Sequence, residues 1–213
     1  MAATTEQMIK DKIVYICEKL DEWLNKEGRS FSSENSFVYN FAWQFCKEYE
    51  EVIGNIDFEV PLFKGFSDGK FLDLMVCVKN DTQLIKVGFE FKFPQKKKNG
   101  SGQTQVRSAI INDVKRLTWL VRNKKIDIGV FICATNEKGY INKGKYKQNQ
   151  QFLIHNGMSY LEGEILPFNE DYKEKAKALS DITFKWNHLL NAKNGIHIEE
   201  GKFSFLEPII FSL

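Results

Sequence analysis

The sequence predicts an α/β fold, a mixed β-sheet flanked by helices, and three observations lead there. Two amphipathic helical stretches open the chain, three strand-like runs follow, and a further helix separates the third run from an apolar fourth. Apolar residues recur at helical spacing in the first kind of segment and at every second position in the second. The resulting order, ααβββαβ, packs helices against the faces of a mixed sheet.

Residues 6–26 read as the first helix, with Ile9, Ile13, Ile16, Cys17, Leu20, Trp23 and Leu24 on one side and Gly28 as its stop. Ser32 or Ser33 caps a second helix over roughly 33–52, whose stripe is Phe37, Val38, Phe41, Ala42 and Phe45. Glu34 falls in its first turn, where the helix dipole favours a carboxylate. Runs 56–63, 70–79 and 83–93 read as strands, 103–122 as a helix and 126–134 as an apolar strand. Beyond that, 140–153 reads as helical, 158–166 as strand-like, 169–192 as helical and 202–212 as extended. The expected organisation is one domain over 1–213. Within it, 33–134 is the core, 1–32 an N-terminal helix, and 135–213 an extension for recognition or dimer contacts.

The net charge of +2 conceals an asymmetry. From Lys86 to Lys147 there are fifteen Lys and Arg against four acids, and the rest of the chain is acidic by nine. Such clustering suits a polyanion binder, and equally a solvated lysine-rich surface. Cys17, Cys46, Cys77 and Cys133 form no C-x-x-C pair and sit in apolar segments, so buried free thiols are expected. The polar start MAATTEQMIKDK does not resemble a secretory leader, and no apolar run approaches the roughly eighteen residues of a membrane span. A cytoplasmic protein is expected.

The chemistry concentrates on the hairpin 70–93. If its loop, Asn80–Asp81–Thr82, is centred on Asp81 and Thr82, paired residue numbers sum to 163 and Asp73 lies opposite Glu90. One face then carries Leu72, Leu74, Val76, Val78, Ile85, Val87, Phe89, Phe91 and Phe93 and must be buried. The other carries Asp73, Glu90 and Lys92 beside Met75, Cys77 and Gly88. Directly opposed residues have Cβ atoms about 4.5–5.5 Å apart, so two carboxylates there repel unless a cation lies between them. Lys92 supplies one positive charge, and a hard divalent ion with oxygen ligands would supply two more. Asp73 and Glu90 would hold Mg²⁺, the Phe91 carbonyl could add a ligand, and Lys92 would orient a water and screen developing charge.

Asp73, followed by Glu90–Phe91–Lys92, resembles the signature of the PD-(D/E)XK nuclease superfamily. The resemblance covers about half the chain. It implies a restriction-endonuclease-like core: a helix, a three-stranded antiparallel unit, a crossover helix and a further strand. It also implies a Mg²⁺-dependent DNA endonuclease, with Mn²⁺ able to substitute. The biological role would be restriction, defence or DNA processing, the substrate double-stranded DNA, and the assembly often a homodimer. Glu34 matches the helix-borne acid that commonly joins the metal site. Leu72 stands where many members have Pro, and the crossover helix has Gln103 and Gln105 without a Gln-x-x-x-Tyr pattern. An inactive nucleic-acid-binding module with the same fold is the alternative.

Each feature has a plainer reading. Asp73 could be an edge-strand acid, and Glu34 a helix-capping residue. Lys96, Lys97 and Lys98 form a basic loop that contacts phosphate or simply keeps the protein soluble. Gln105 and Arg107 could touch phosphate in the family reading. Otherwise Gln105, Arg107, Asp113 and Arg116 make a solvated helix face, which is the preferred expectation. The G-x-S-x-G match at 65–69 lacks the strand–Ser–helix context of a hydrolase elbow, so a hairpin loop is expected there. His155, His188 and His197 lack metal-ligand spacing.

Overall fold

The computed structural model of the chain describes residues 5–49, 53–62, 70–79, 84–96, 102–143, 152–167, 176–192 and 195–213. It is an α/β structure built on a mixed sheet. Helices α1 (Thr5–Asn25) and α2 (Glu34–Glu48) precede strands β1 (Ile53–Val60), β2 (Leu72–Lys79) and β3 (Leu84–Lys92). Helix α3 (Gln103–Arg122), strand β4 (Ile128–Thr135) and the short α4 (Lys138–Ile141) follow. Of the two candidate caps, Ser33 begins α2, its hydroxyl accepting the Ser36 N–H at 3.1 Å. The G-x-S-x-G segment and the Asn80–Thr82 loop lie outside the described residues.

The main sheet runs β1-β2-β3-β4-β10, where β10 is Ile209–Ser212, and β9 (Ser204–Phe205) also pairs with β4. β2 is antiparallel to both β1 and β3, β3 and β4 are parallel, and β10 is antiparallel to β4. The parallel pair requires a crossover, which α3 supplies. β4 is buried along its whole length, as expected for a strand covered on both faces.

The β2–β3 register places Leu74 opposite Phe89 and Met75 opposite Gly88, as a loop centred on Asp81 and Thr82 predicts, but the strand pairing ends at Leu74 and does not include Asp73 opposite Glu90. Leu74, Val76, Val78, Val87, Phe89 and Phe91 pack against α1 and α2. Leu72 does not join them. It packs with Val60 in the core on the α3 side, and a Cβ on Gly88 would come within 3.0 Å of it. The cause lies next door on β1. Glu59 has a left-handed backbone (φ 52°), which breaks the in–out alternation between Phe58 and Val60, the partners of Leu74 and Leu72.

The C-terminal expectations need correcting. Among the described residues near 140 only Lys138–Ile141 is helical, most of 140–153 lying outside the described residues, and the described part of 169–192 contains no helix. Instead β6 (Ile182–Thr183) pairs with β5 (Ser159–Tyr160), and β7 (Leu189–Ala192) pairs with β8 (Gly195–Ile198). The reason is visible in the burial: Ala176, Ala178, Ile182, Phe184 and Trp186 are inside, a spacing of two rather than 3.6. The extended reading of 202–212 matches β9 and β10.

Helix α3 departs furthest from its expected environment. It packs against the sheet, and its apolar residues share one cluster with Phe152, Ile154, Tyr160, Phe184 and Trp186. Its polar residues Arg107, Asn112, Asp113, Lys115 and Arg116 are buried, not solvated, and Asp113 and Arg116 turn toward β3, where they meet Lys92 and Glu90. Cys17, Cys77 and Cys133 are buried free thiols, and Cys46 is partly covered. Among the described residues, no helix is long and apolar enough to cross a membrane.

Candidate active site

β2 and β3 part company just beyond Leu74 and Phe89. There the Asp73 carboxylate takes a role that a strand carbonyl would otherwise fill, its Oδ2 accepting the Phe91 N–H at 2.7 Å. One residue earlier on β3, Glu90 points away from the phenylalanine face and is fully buried. One residue later, Lys92 shares that orientation and reaches the end of the sheet, where α2 begins.

Lys92 is the hub. Its Nζ donates to Glu34 Oε1 at 3.2 Å and to the Phe91 carbonyl at 2.8 Å, and it pairs with Asp113 Oδ2 at 2.9 Å. Glu34 uses its other oxygen, Oε2, to accept the Phe93 N–H at 3.0 Å. Asp113 continues the chain of charges, since its Oδ1 accepts from Arg116 Nη2. Arg116 Nε in turn donates to Glu90 Oε1 at 3.0 Å. Signs thus alternate along Glu34, Lys92, Asp113, Arg116 and Glu90. The structure brings together Glu34, Asp73, Glu90 and Lys92, and adds Asp113 and Arg116 from α3.

The electrostatics follow from burial. Desolvation pushes the Glu90 carboxyl well above the ordinary carboxylate range, and Asp113 and Asp73 push it further against the pull of Arg116. Desolvation also raises the Asp73 carboxyl, opposed by Lys92 and by the Phe91 N–H. For Lys92, burial favours the neutral amine. The surrounding Asp113, Glu34 and Asp73 outweigh it and hold the ammonium above its usual value. Four carboxylates face two cations, a formal excess of two negative charges.

Those groups suit a hard divalent cation. Glu90 Oε2 is buried without a hydrogen-bond partner, and burial of such an oxygen is costly until something positive meets it. Carboxylate oxygens are hard donors, the kind that Mg²⁺ or Mn²⁺ prefers over the ligands of softer metals. Among the described residues no three acidic, His or Cys side chains already converge on one point. Each carboxylate is held instead by a cation or amide of the chain itself.

The remaining candidates divide. Lys96, four residues past Lys92, and Gln105, in the first turn of α3, are exposed, whereas Lys97 and Lys98 lie outside the described residues. Arg107 is a different case from the one expected. It is 0% exposed, and its guanidinium donates to the carbonyls of Gly139, Asn142 and Phe152, the last at 3.3 Å. It fastens α3 to the chain that follows β4 and does not face a phosphate. Asp113 and Arg116, read from sequence as a solvated pair, are 2% and 8% exposed. The sign of this in the sequence was Ile111 and Trp119, apolar residues off the main stripe of α3, which announce a second packed face.

No family model and no curated protein matches the chain. Among solved structures, a beta toxin from Staphylococcus aureus aligns over 66% of this chain and 56% of its own, at 10% identity and a TM-score of 0.23. This chain thus spans little more than half the toxin's length, at a score too low to indicate a shared fold.

Proposed function

We propose that this protein is a Mg²⁺-dependent nuclease with a restriction-endonuclease-like core, a DNA endonuclease serving restriction, defence or another DNA-processing role. One observation carries the reading. Glu34, Asp73, Glu90 and Lys92, four residues scattered over the sequence, gather where β2 leaves β3, with a negative excess that a divalent ion would balance.

Asp73, Glu90 and the Phe91 carbonyl would hold the ion, with Glu34 beside them. When bound, the ion would supply Lewis acidity at a phosphoryl oxygen and ease deprotonation of water. Lys92 has a separate task. With its ammonium stabilised by three carboxylates, it is a poor base and a fixed donor. By giving up the Phe91 carbonyl, which would itself turn to the ion, its Nζ can hold an attacking water by hydrogen bond and offset charge developing on the phosphate. The apolar face behind Phe89 and Phe91 keeps the strand carrying Glu90 and Lys92 rigid. Exposed Lys96 and Gln105 can meet the phosphate backbone at the rim.

The test is cleavage of plasmid and oligonucleotide DNA with Mg²⁺ or Mn²⁺, comparing wild type with Asp73→Ala and Lys92→Ala. Cleavage in wild type that is lost in both variants supports the reading; cleavage that survives both removes it. A second reading, a module that binds nucleic acid without cutting, draws on the engagement of Glu90 by Arg116. Salt-sensitive binding with no metal-dependent cleavage would favour it.

A further inference from the structure

We infer that Asp113 and Arg116, contributed by α3, are positioning residues of the same site, and that their task is to hold the Lys92 ammonium clear of Asp73. The inference rests on the nuclease reading and deepens it. Lys92 sits among three carboxylates that all attract it, Asp113 most strongly and Asp73 least. Its hydrogen bonds and ion pairs go to Glu34, Asp113 and the Phe91 carbonyl. Asp73 is left with a backbone amide as its partner. A lysine resting on Asp73 would neutralise the carboxylate that a divalent ion needs, so the position of Nζ decides whether Asp73 can serve as a ligand.

Asp113 cannot do this alone. A buried carboxylate free to rotate would follow Lys92 wherever it went. Arg116 fixes it by occupying Oδ1, which presents Oδ2 to Lys92. The same guanidinium holds Glu90 by Oε1 and leaves Oε2 without a partner. The planar guanidinium does both with donors in a fixed fork, an orientation that the rotatable donors of a lysine ammonium would not impose. The two residues are three apart on a helix, so one face of α3 delivers both.

The experiment measures Mn²⁺ binding to the full chain by calorimetry, alongside kcat and KM for DNA cleavage, in four proteins: wild type, Asp113→Asn, Arg116→Lys, and Asp113→Asn combined with Lys92→Met. Asp113→Asn should weaken Mn²⁺ binding and lower kcat by about 10–100-fold, with KM for DNA little changed. Arg116→Lys should shift both in the same direction by less. The double variant is decisive. Removing the lysine that had been released onto Asp73 should restore Mn²⁺ binding while cleavage stays lost, because Lys92 is itself required. Removing both members of the Lys92–Asp113 pair can also restore stability, so Mn²⁺ binding is compared at equal folded fraction. If Asp113→Asn fails to fold, Arg116→Lys still decides the matter. Mn²⁺ binding and kcat like those of wild type in folded Asp113→Asn, or in Arg116→Lys, overturn the inference but leave the nuclease reading standing. So does a double variant that binds Mn²⁺ no better than Asp113→Asn. Wild type that neither binds Mn²⁺ nor cleaves overturns both.

Discussion

The two faces of the sheet are built from different materials. Toward α1 and α2 the packing is almost entirely apolar. Phe37, Phe41, Phe45, Phe89 and Phe91 meet ring to ring, with centroids such as Phe41–Phe89 at 5.1 Å and Phe41–Phe91 at 5.2 Å. Toward α3 the same sheet buries Glu90, Arg107, Asp113, Lys115 and Arg116 among its aliphatic residues. A buried ion pair is weak support for stability, because desolvation offsets much of the Coulomb attraction. The contrast teaches that one face supplies stability while the other accepts charges whose retention needs a functional reason.

That contrast can be broken experimentally, beginning where the effect is largest. Phe41→Ala should cost about 3–5 kcal/mol of stability in urea unfolding, yet leave the specific activity of the folded fraction unchanged. Asp73→Ala should do the reverse: cleavage should fall by about 10²–10³-fold, with little change in the unfolding midpoint. Lys92→Ala should lose cleavage too, but also stability, because it leaves Glu34 and Asp113 without their cation. A smaller effect comes from Lys115, which burial pushes down to about 8. An unfolded lysine keeps its proton up to the ordinary value of 10.5. Between these values the unfolded state therefore binds more protons, and wild-type stability rises with pH. Lys115→Met should remove that rise, leaving a flatter pH profile of stability between about pH 8 and 10.5; an unchanged slope in urea unfolding would contradict it. Last, Lys12→Ala breaks a part-exposed pair with Glu48, 2.6 Å apart on the outer side of α1 and α2. It should change stability by only about 0.2–1 kcal/mol, measured in the same unfolding series.

The same division explains what could be read from the sequence. The α1/α2 side was legible because an apolar face admits one register: a slip of one residue would have turned Phe89 and Phe91 to the α3 side. Leu74 opposite Phe89 followed from that pattern alone. Leu72 was misplaced because Glu59 adopts a left-handed backbone, and nothing in the residue type signals it. The α3 side was only half legible. Glu90 and Lys92 stood out by interrupting an apolar strand. Asp113 and Arg116 look like the polar side of an amphipathic helix, since nothing in the periodicity shows that they meet Lys92 and Glu90 of β3. Residues 169–192 read as a helix because the stretch is rich in helix formers, although Ala178, Ile182, Phe184 and Trp186 fall at even spacings. The Lys97–Lys98 portion of the basic loop lies outside the described residues.

The parallel pairing of β3 with β4 has a consequence for the order of events in folding. Val87 meets Ile128 across 41 positions, while the β2–β3 pairs are local. Local pairings close early, and long-range parallel ones wait for the crossover to dock. Asp73 and Glu90 should therefore find one another while still hydrated. Docking of α3 is then the event that strips water from the whole set of charges at once. That late step is where ions in the medium would act on the speed of folding, and a refolding trace followed with and without Mn²⁺ would show it as a change in the slowest phase.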